Sequence, residues 1–148
     1  MGVSEPEATF SACFGAAFMV WHPSVYAELL AQKMAENDAT AWLINTGWTG
    51  GPYGEGERIR LSYTRSIIDA IHDGSLTNVA RVTDPIFGLE IPTLCQHVPD
   101  KILIPKHTWF DGDAYDKQSR HLAQLFIKNF GQYEKGSSEA IINAGPRI

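Results

Sequence analysis

This chain has few cysteines, no long apolar run and a shortage of positive charge. Its two cysteines, Cys13 and Cys95, lie far apart and match no metal-ligand spacing. So few thiols fit a reduced, cytoplasmic setting better than a secreted domain held by one bridge. No apolar run approaches the ~20 residues that a membrane helix needs, which argues against a membrane partner. The opening MGVSEPEATF carries neither the basic nor the apolar stretch of a signal peptide. Pro6 occupies the position that a myristoylation motif gives to Ser or Thr. The net charge of −5 has the wrong sign for a general nucleic-acid binder. A single nucleotide would need only a local positive site.

Common catalytic signatures are missing as well. His22, His72, His97, His107 and His121 form no i, i+4 pair and have no acidic neighbour at metal-ligand spacing. Each reads as a structural or solvated histidine. Ser4, Ser11 and the cysteines sit in no nucleophile elbow. No lysine follows a glycine, so the phosphate loop Gly-x-x-x-x-Gly-Lys-Ser/Thr is absent. Gly54-Glu55-Gly56 starts a dinucleotide pattern, but Ile59 stands where its third glycine belongs. Asp111, Asp113 and Asp116 cluster at a predicted helix start, which the helix dipole explains without a function.

What remains is a mixed α/β pattern with helices on a small sheet, in a chain of 148 residues that suits one domain. The uncharged run Phe10–Trp21 predicts burial. His22-Pro23 opens a helix that runs to about Asn37, with Val25, Leu29, Leu30 and Met34 on one face. Thr40–Thr46 reads as a short buried strand and Glu57–Leu61 as a second. Thr64–His72 is a predicted helix stopped by Asp73-Gly74. Pro85 and Pro92 restrict Val79–Pro92 to short or edge strands. Asp111 or Asp113 caps the longest helix, about Ala114–Tyr133, and a last helix covers about Ser138–Ala144.

The densest signal is Asn45–Arg65, NTGWTGGPYGEGERIRLSYTR, with glycines at 47, 50, 51, 54 and 56. A run so rich in glycine suits a loop and not a regular element. It is either a mobile surface loop or a ligand loop. Arg58 can stack on a base, pair with a phosphate or simply lie on the surface. Thr64, at the predicted helix start, can cap the helix or bond a ligand.

Longer segments carry a resemblance. GVSEPEATFSACFGAAF at 2–18, HPSVYAELL at 22–30 and WLINTGWTGGPYGEGERIRLSYTR at 42–65 lead it. FGLEIPT at 87–93, LFIKNF at 125–130 and AGPRI at 144–148 follow in the same order. With these the chain resembles the C-terminal part of ATP-dependent phosphoenolpyruvate carboxykinase, over almost its whole length.

That resemblance implies part of the nucleotide-binding domain of the carboxykinase fold, with residues 1–9 as the tail of its active-site lid. It implies the conversion of oxaloacetate and ATP to phosphoenolpyruvate, ADP and CO2 in gluconeogenesis, with Mg2+ and Mn2+. In the family an Arg-Ile pair after Gly-x-Gly-Lys, and a Thr six residues beyond that Arg, contact ATP near its base and ribose. Those positions correspond to Arg58, Ile59 and Thr64 here. Glu57 stands where the family often has lysine, and is expected to point outward or pair with Arg60. The family's phosphate loop, metal ligands and oxaloacetate-gripping arginines have no counterpart in this sequence. The resemblance therefore implies a piece that supplies one side of an ATP site and is inactive alone, lacking an N-terminal part. The alternative is a non-enzymatic nucleotide-binding remnant or one half of a split enzyme.

Overall fold

The computed structural model describes residues 9–11, 15–51 and 54–148. Nearly all of the predicted lid tail, residues 1–9, lies outside that range. Among the described residues five α-helices and four short strands are interspersed along the chain, so the mixed α/β class holds. The strands form two antiparallel ribbons of two strands each. The chain divides into two compact units, Met1–Trp42 with Gln124–Gly145, and Leu43–Ala123 with Pro146–Ile148.

In the first unit, Pro23 opens α1 (Pro23–Glu36) with its fixed φ and missing N–H. His22 caps it, its Nδ1 accepting from the Ser24 N–H at 3.3 Å. The α5 helix (Glu139–Asn143) is tied to α1 where the Ser138 N–H donates to Glu28 Oε1 at 3.3 Å. Phe10 meets Phe126 edge-on, with ring centroids 5.2 Å apart. The predicted burial of Phe10–Trp21 is not what its described part shows. Phe18 is 88% exposed, Val20 86% and Trp21 68%. Hydrophobicity states a need for cover, and here no cover lies among the described residues.

In the second unit, β1 (Trp48–Thr49) pairs with β2 (Glu57–Arg58), and β3 (Arg81–Thr83) pairs with β4 (Glu90–Pro92). Asp84 builds the turn between β3 and β4, its Oδ1 accepting from the Ile86 and Phe87 N–H groups at 2.9 and 2.6 Å. The Arg147 N–H then donates to Ile86 O at 2.7 Å, fastening residues 146–148 to that turn. Leu76, Ile86, Cys95 and Val98 are buried here. Burial raises the Cys95 thiol pKa first, and the Asp73 charge adds to the rise.

Three predicted boundaries shift, the first being the strand read at Glu57–Leu61, which is confined to Glu57–Arg58. The α2 helix spans Leu61–His72 and so starts one turn before Thr64. Arg60 is its extended N-cap residue, whose carbonyl accepts from Tyr63 and Thr64. Thr64 therefore lies inside the helix, buried, and does not cap it. The α4 helix spans Gly112–Phe130, ending before Gly131 and not at Tyr133. Asp111 is the residue that caps it, with Oδ1 accepting from the Asp113 and Ala114 N–H groups at 2.9 and 3.1 Å. The predicted strand at 40–46 is extended backbone without a ladder. A strand needs a partner edge, and none among the described residues pairs with it.

Candidate functional site

The glycine-rich segment is ordered by backbone economy. Asn45 begins it with a local turn: Oδ1 accepts from the Gly47 N–H at 2.9 Å and Nδ2 donates to Trp48 O at 3.1 Å. Trp48 then lies opposite Arg58, and Thr49 opposite Glu57. The Ile59 N–H donates to Gly47 O at 2.9 Å and closes the ribbon. Gly56 is required by contact, since a Cβ there would lie 2.6 Å from both Gly51 O and Thr49 O. Gly50 has φ +81°, and a Cβ would stand 3.1 Å from Thr108 O.

A second anchor ties the ribbon to the turn at Pro105–Thr108. Thr108 Oγ1 donates to Pro105 O at 2.7 Å, so it accepts from Thr49 Oγ1 at 2.8 Å. Pro105–Thr108 follows the short helix α3 (Asp100–Leu103) directly. A segment some fifty residues beyond the glycine loop is thereby brought beside it.

Between them lies a cavity of about 110 Å3, lined by the ribbon, the start of α2 and the Pro99–Ile102 segment. Its apolar wall is Ile59, Tyr63, Pro99 and Ile102, and its charged groups are Glu57, Arg58, Arg60 and Lys101. Ligand pockets usually enclose roughly 300–1,000 Å3. At about 110 Å3 this cavity does not by itself enclose anything as large as a nucleotide.

The charged groups differ in what already occupies them. The Arg60 guanidinium lies 5.8 Å from the Tyr63 ring centroid, within cation–π range. Of the two arrangements expected for Glu57, outward-pointing or paired with Arg60, the ion pair does not form. The ion pairs among the described residues are Lys33–Glu36 and Lys106–Asp116. Glu57 is exposed at the cavity wall. Arg58 and Lys101 have no ion-pair partner among the described residues.

Of the three site residues read from the sequence, two, Arg58 and Ile59, line this cavity. Thr64 is set one turn into α2 and does not line it. The two backbone polar groups of Ile59 differ. Its N–H is used by Gly47, whereas its carbonyl has no backbone partner among the described residues. Lys101, Pro99 and Ile102 were missed in the sequence, because no motif links them to the glycine loop. Among the described residues, no three His, Cys, Asp or Glu side chains converge on a metal position. No helix among them is long and apolar enough to cross a membrane.

Comparison with known proteins places the chain. The family model of phosphoenolpyruvate carboxykinase matches residues 1–101. Phosphoenolpyruvate carboxykinase (ATP) 2 of Salinibacter ruber is 56% identical over 148 residues, covering 100% of this chain and 28% of that protein. The phosphoenolpyruvate carboxykinase (ATP) of Dictyostelium discoideum is 49% identical over 146 residues, 99% of this chain and 26% of that protein. That of Thermus thermophilus is 49% identical over 146 residues, again 99% of this chain and 28% of that protein. The chain thus spans little more than a quarter of these relatives, and it belongs to the phosphoenolpyruvate carboxykinase family.

Proposed function

We propose that this chain supplies the base-and-ribose side of the ATP site of a phosphoenolpyruvate carboxykinase, and that it corresponds to the C-terminal part of such an enzyme. The observation that carries this reading is the cavity with Arg58 and Ile59 in its wall, in a family whose relatives are ATP-named carboxykinases. The Arg58 plane stacks on a purine. The Ile59 carbonyl, which has no backbone partner among the described residues, accepts from an amino group, which adenine presents and guanine replaces with the acceptor O6 at the same place. Thr64 is proposed as a ribose-side contact that becomes accessible only in the complete site.

The whole enzyme would convert oxaloacetate and ATP to phosphoenolpyruvate, ADP and CO2. Decarboxylation leaves an enolate, whose oxygen takes the γ-phosphoryl group. Mg2+ and Mn2+ would neutralise charge on the enolate and the transferring phosphoryl. That chemistry is assigned to the remainder of the enzyme, because the metal ligands of the family it resembles have no counterpart in this sequence. This chain's part is to hold and orient the nucleotide, which raises the rate by positioning. By itself it is inactive.

Two measurements test this. Calorimetric titration with ATP should show saturable binding that weakens at least tenfold in Arg58→Ala. Binding unchanged by that substitution overturns the assigned site. An assay of the chain with Mg2+, Mn2+, ATP and oxaloacetate should show no turnover above a protein-free blank. Turnover well above the blank overturns the claim of inactivity.

A further inference from the structure

The cavity has a second wall that the nucleotide motif does not include. Pro99 and Ile102 face it from a segment more than forty residues beyond Arg58, and Lys101 lies between them in sequence. An apolar surface made by Ile59, Pro99 and Ile102 suits a flat uncharged ring and is poorly suited to a phosphate, which would lose its hydration there. Small-molecule sites combine such apolar walls with a few placed polar groups. Arg60 is occupied by the Tyr63 ring, and the Ile59 N–H by Gly47. Arg58, Arg60 and Lys101 all lack an ion-pair partner among the described residues, and of the three it is Arg60 that lies over a ring.

We infer that the Pro99–Ile102 turn is the second face of the base site, and that Lys101 orients the adenine by donating to the ring nitrogen beside its amino group. An ammonium group can only donate, and adenine's ring nitrogens can only accept. The Ile59 carbonyl takes the amino hydrogens next to it, so one acceptor and one donor read a single edge of the base. Lys101 sits on another segment from the glycine loop, so closing these two segments on the base would couple them. The inference rests on the proposed base site.

The test is adenosine and ATP binding to the whole chain, wild type against Lys101→Met, Lys101→Arg and Arg58→Ala, with circular dichroism confirming the fold of each. The expected result is about a tenfold loss in Lys101→Met for both adenosine and ATP, with Lys101→Arg close to wild type. The Lys101→Met loss should disappear with either 7-deazaadenosine or 1-deazaadenosine, whichever lacks the acceptor that Lys101 meets. A loss for ATP alone, a loss that persists in full with both deaza analogues, or no loss at all overturns the inference. If Arg58→Ala weakens binding while Lys101→Met does not, the base site stands and the role of Lys101 falls. Failure of both substitutions to affect binding, or no saturable binding at millimolar nucleotide, overturns the base site as well.

Discussion

Residues with a local job were the most legible in the sequence. His22, Pro23 and Asp111 act on backbone atoms one to three positions away, and that range is what a local pattern encodes. The choice between Asp111 and Asp113 as cap turns on geometry, and Asp111 holds two N–H groups. Asp111→Ala should therefore destabilise by about 1 kcal/mol, whereas Asp113→Ala should change a chemical denaturation curve far less. Asp73 offers a pH test. Its carboxylate accepts from the Ser75 N–H at 2.8 Å, and that bond holds its pKa below the ordinary 3.8. A depressed carboxylate pKa means the stabilisation is present above the unfolded value and is lost as pH falls through the folded one. The melting temperature of wild type should thus drop more than that of Asp73→Asn below about pH 4. Parallel curves would contradict this. Arg58 was legible as a candidate, but Lys101 in the wall of the same cavity was not, because no sequence motif joins two segments more than forty residues apart.

Among the elements, legibility depended on whether the stabilising partner was nearby in sequence. Helices α1, α2 and α4 satisfy their own backbones, and their apolar periods located each within a few residues. The start of α2 moved because Arg60, with no special capping side chain, takes the extended conformation and supplies its carbonyl to the first turn. The 40–46 segment failed as a strand for the opposite reason: its pattern specifies a face, while the ladder depends on a remote edge. The β1–β2 ribbon forms because its two strands are separated by a loop that can close, and Gly56 is the position where closure is least tolerant. A Cβ at Gly56 meets two backbone oxygens that cannot move aside independently. Gly56→Ala should open the ribbon, abolish ATP binding and destabilise the second unit by more than the about 1 kcal/mol of a helix-interior glycine exchange. Gly54→Ala has open space around it, though its φ of +92° still strains the substitution. It should cost less, and equal losses at the two positions would contradict the contact argument.

For the whole molecule, the telling observation is how little of its apolar surface finds cover. None of the large side chains among the described residues is fully buried, whereas Phe18, Val20, Trp21, Leu43 and Phe110 are well exposed. Monomeric soluble proteins rarely leave large contiguous apolar patches open. A chain that spans 26–28% of its relatives and exposes such residues is expected to bind an apolar-surface dye and to self-associate on concentration. A monomeric, sharply cooperative melt without dye binding would contradict that. The family could be read from the sequence because it rests on several long segments in order. That the chain covers only 26–28% of its relatives was foreshadowed only by the motifs it lacks. The most direct test of the base-side role puts this chain in place of the matching segment of the Salinibacter ruber carboxykinase 2, to which it is 56% identical. The expected outcome is a chimera with ATP-dependent carboxykinase turnover, in which Arg58→Ala raises the KM for ATP at least tenfold and changes kcat much less. An active chimera whose KM for ATP is unmoved by Arg58→Ala would contradict the account.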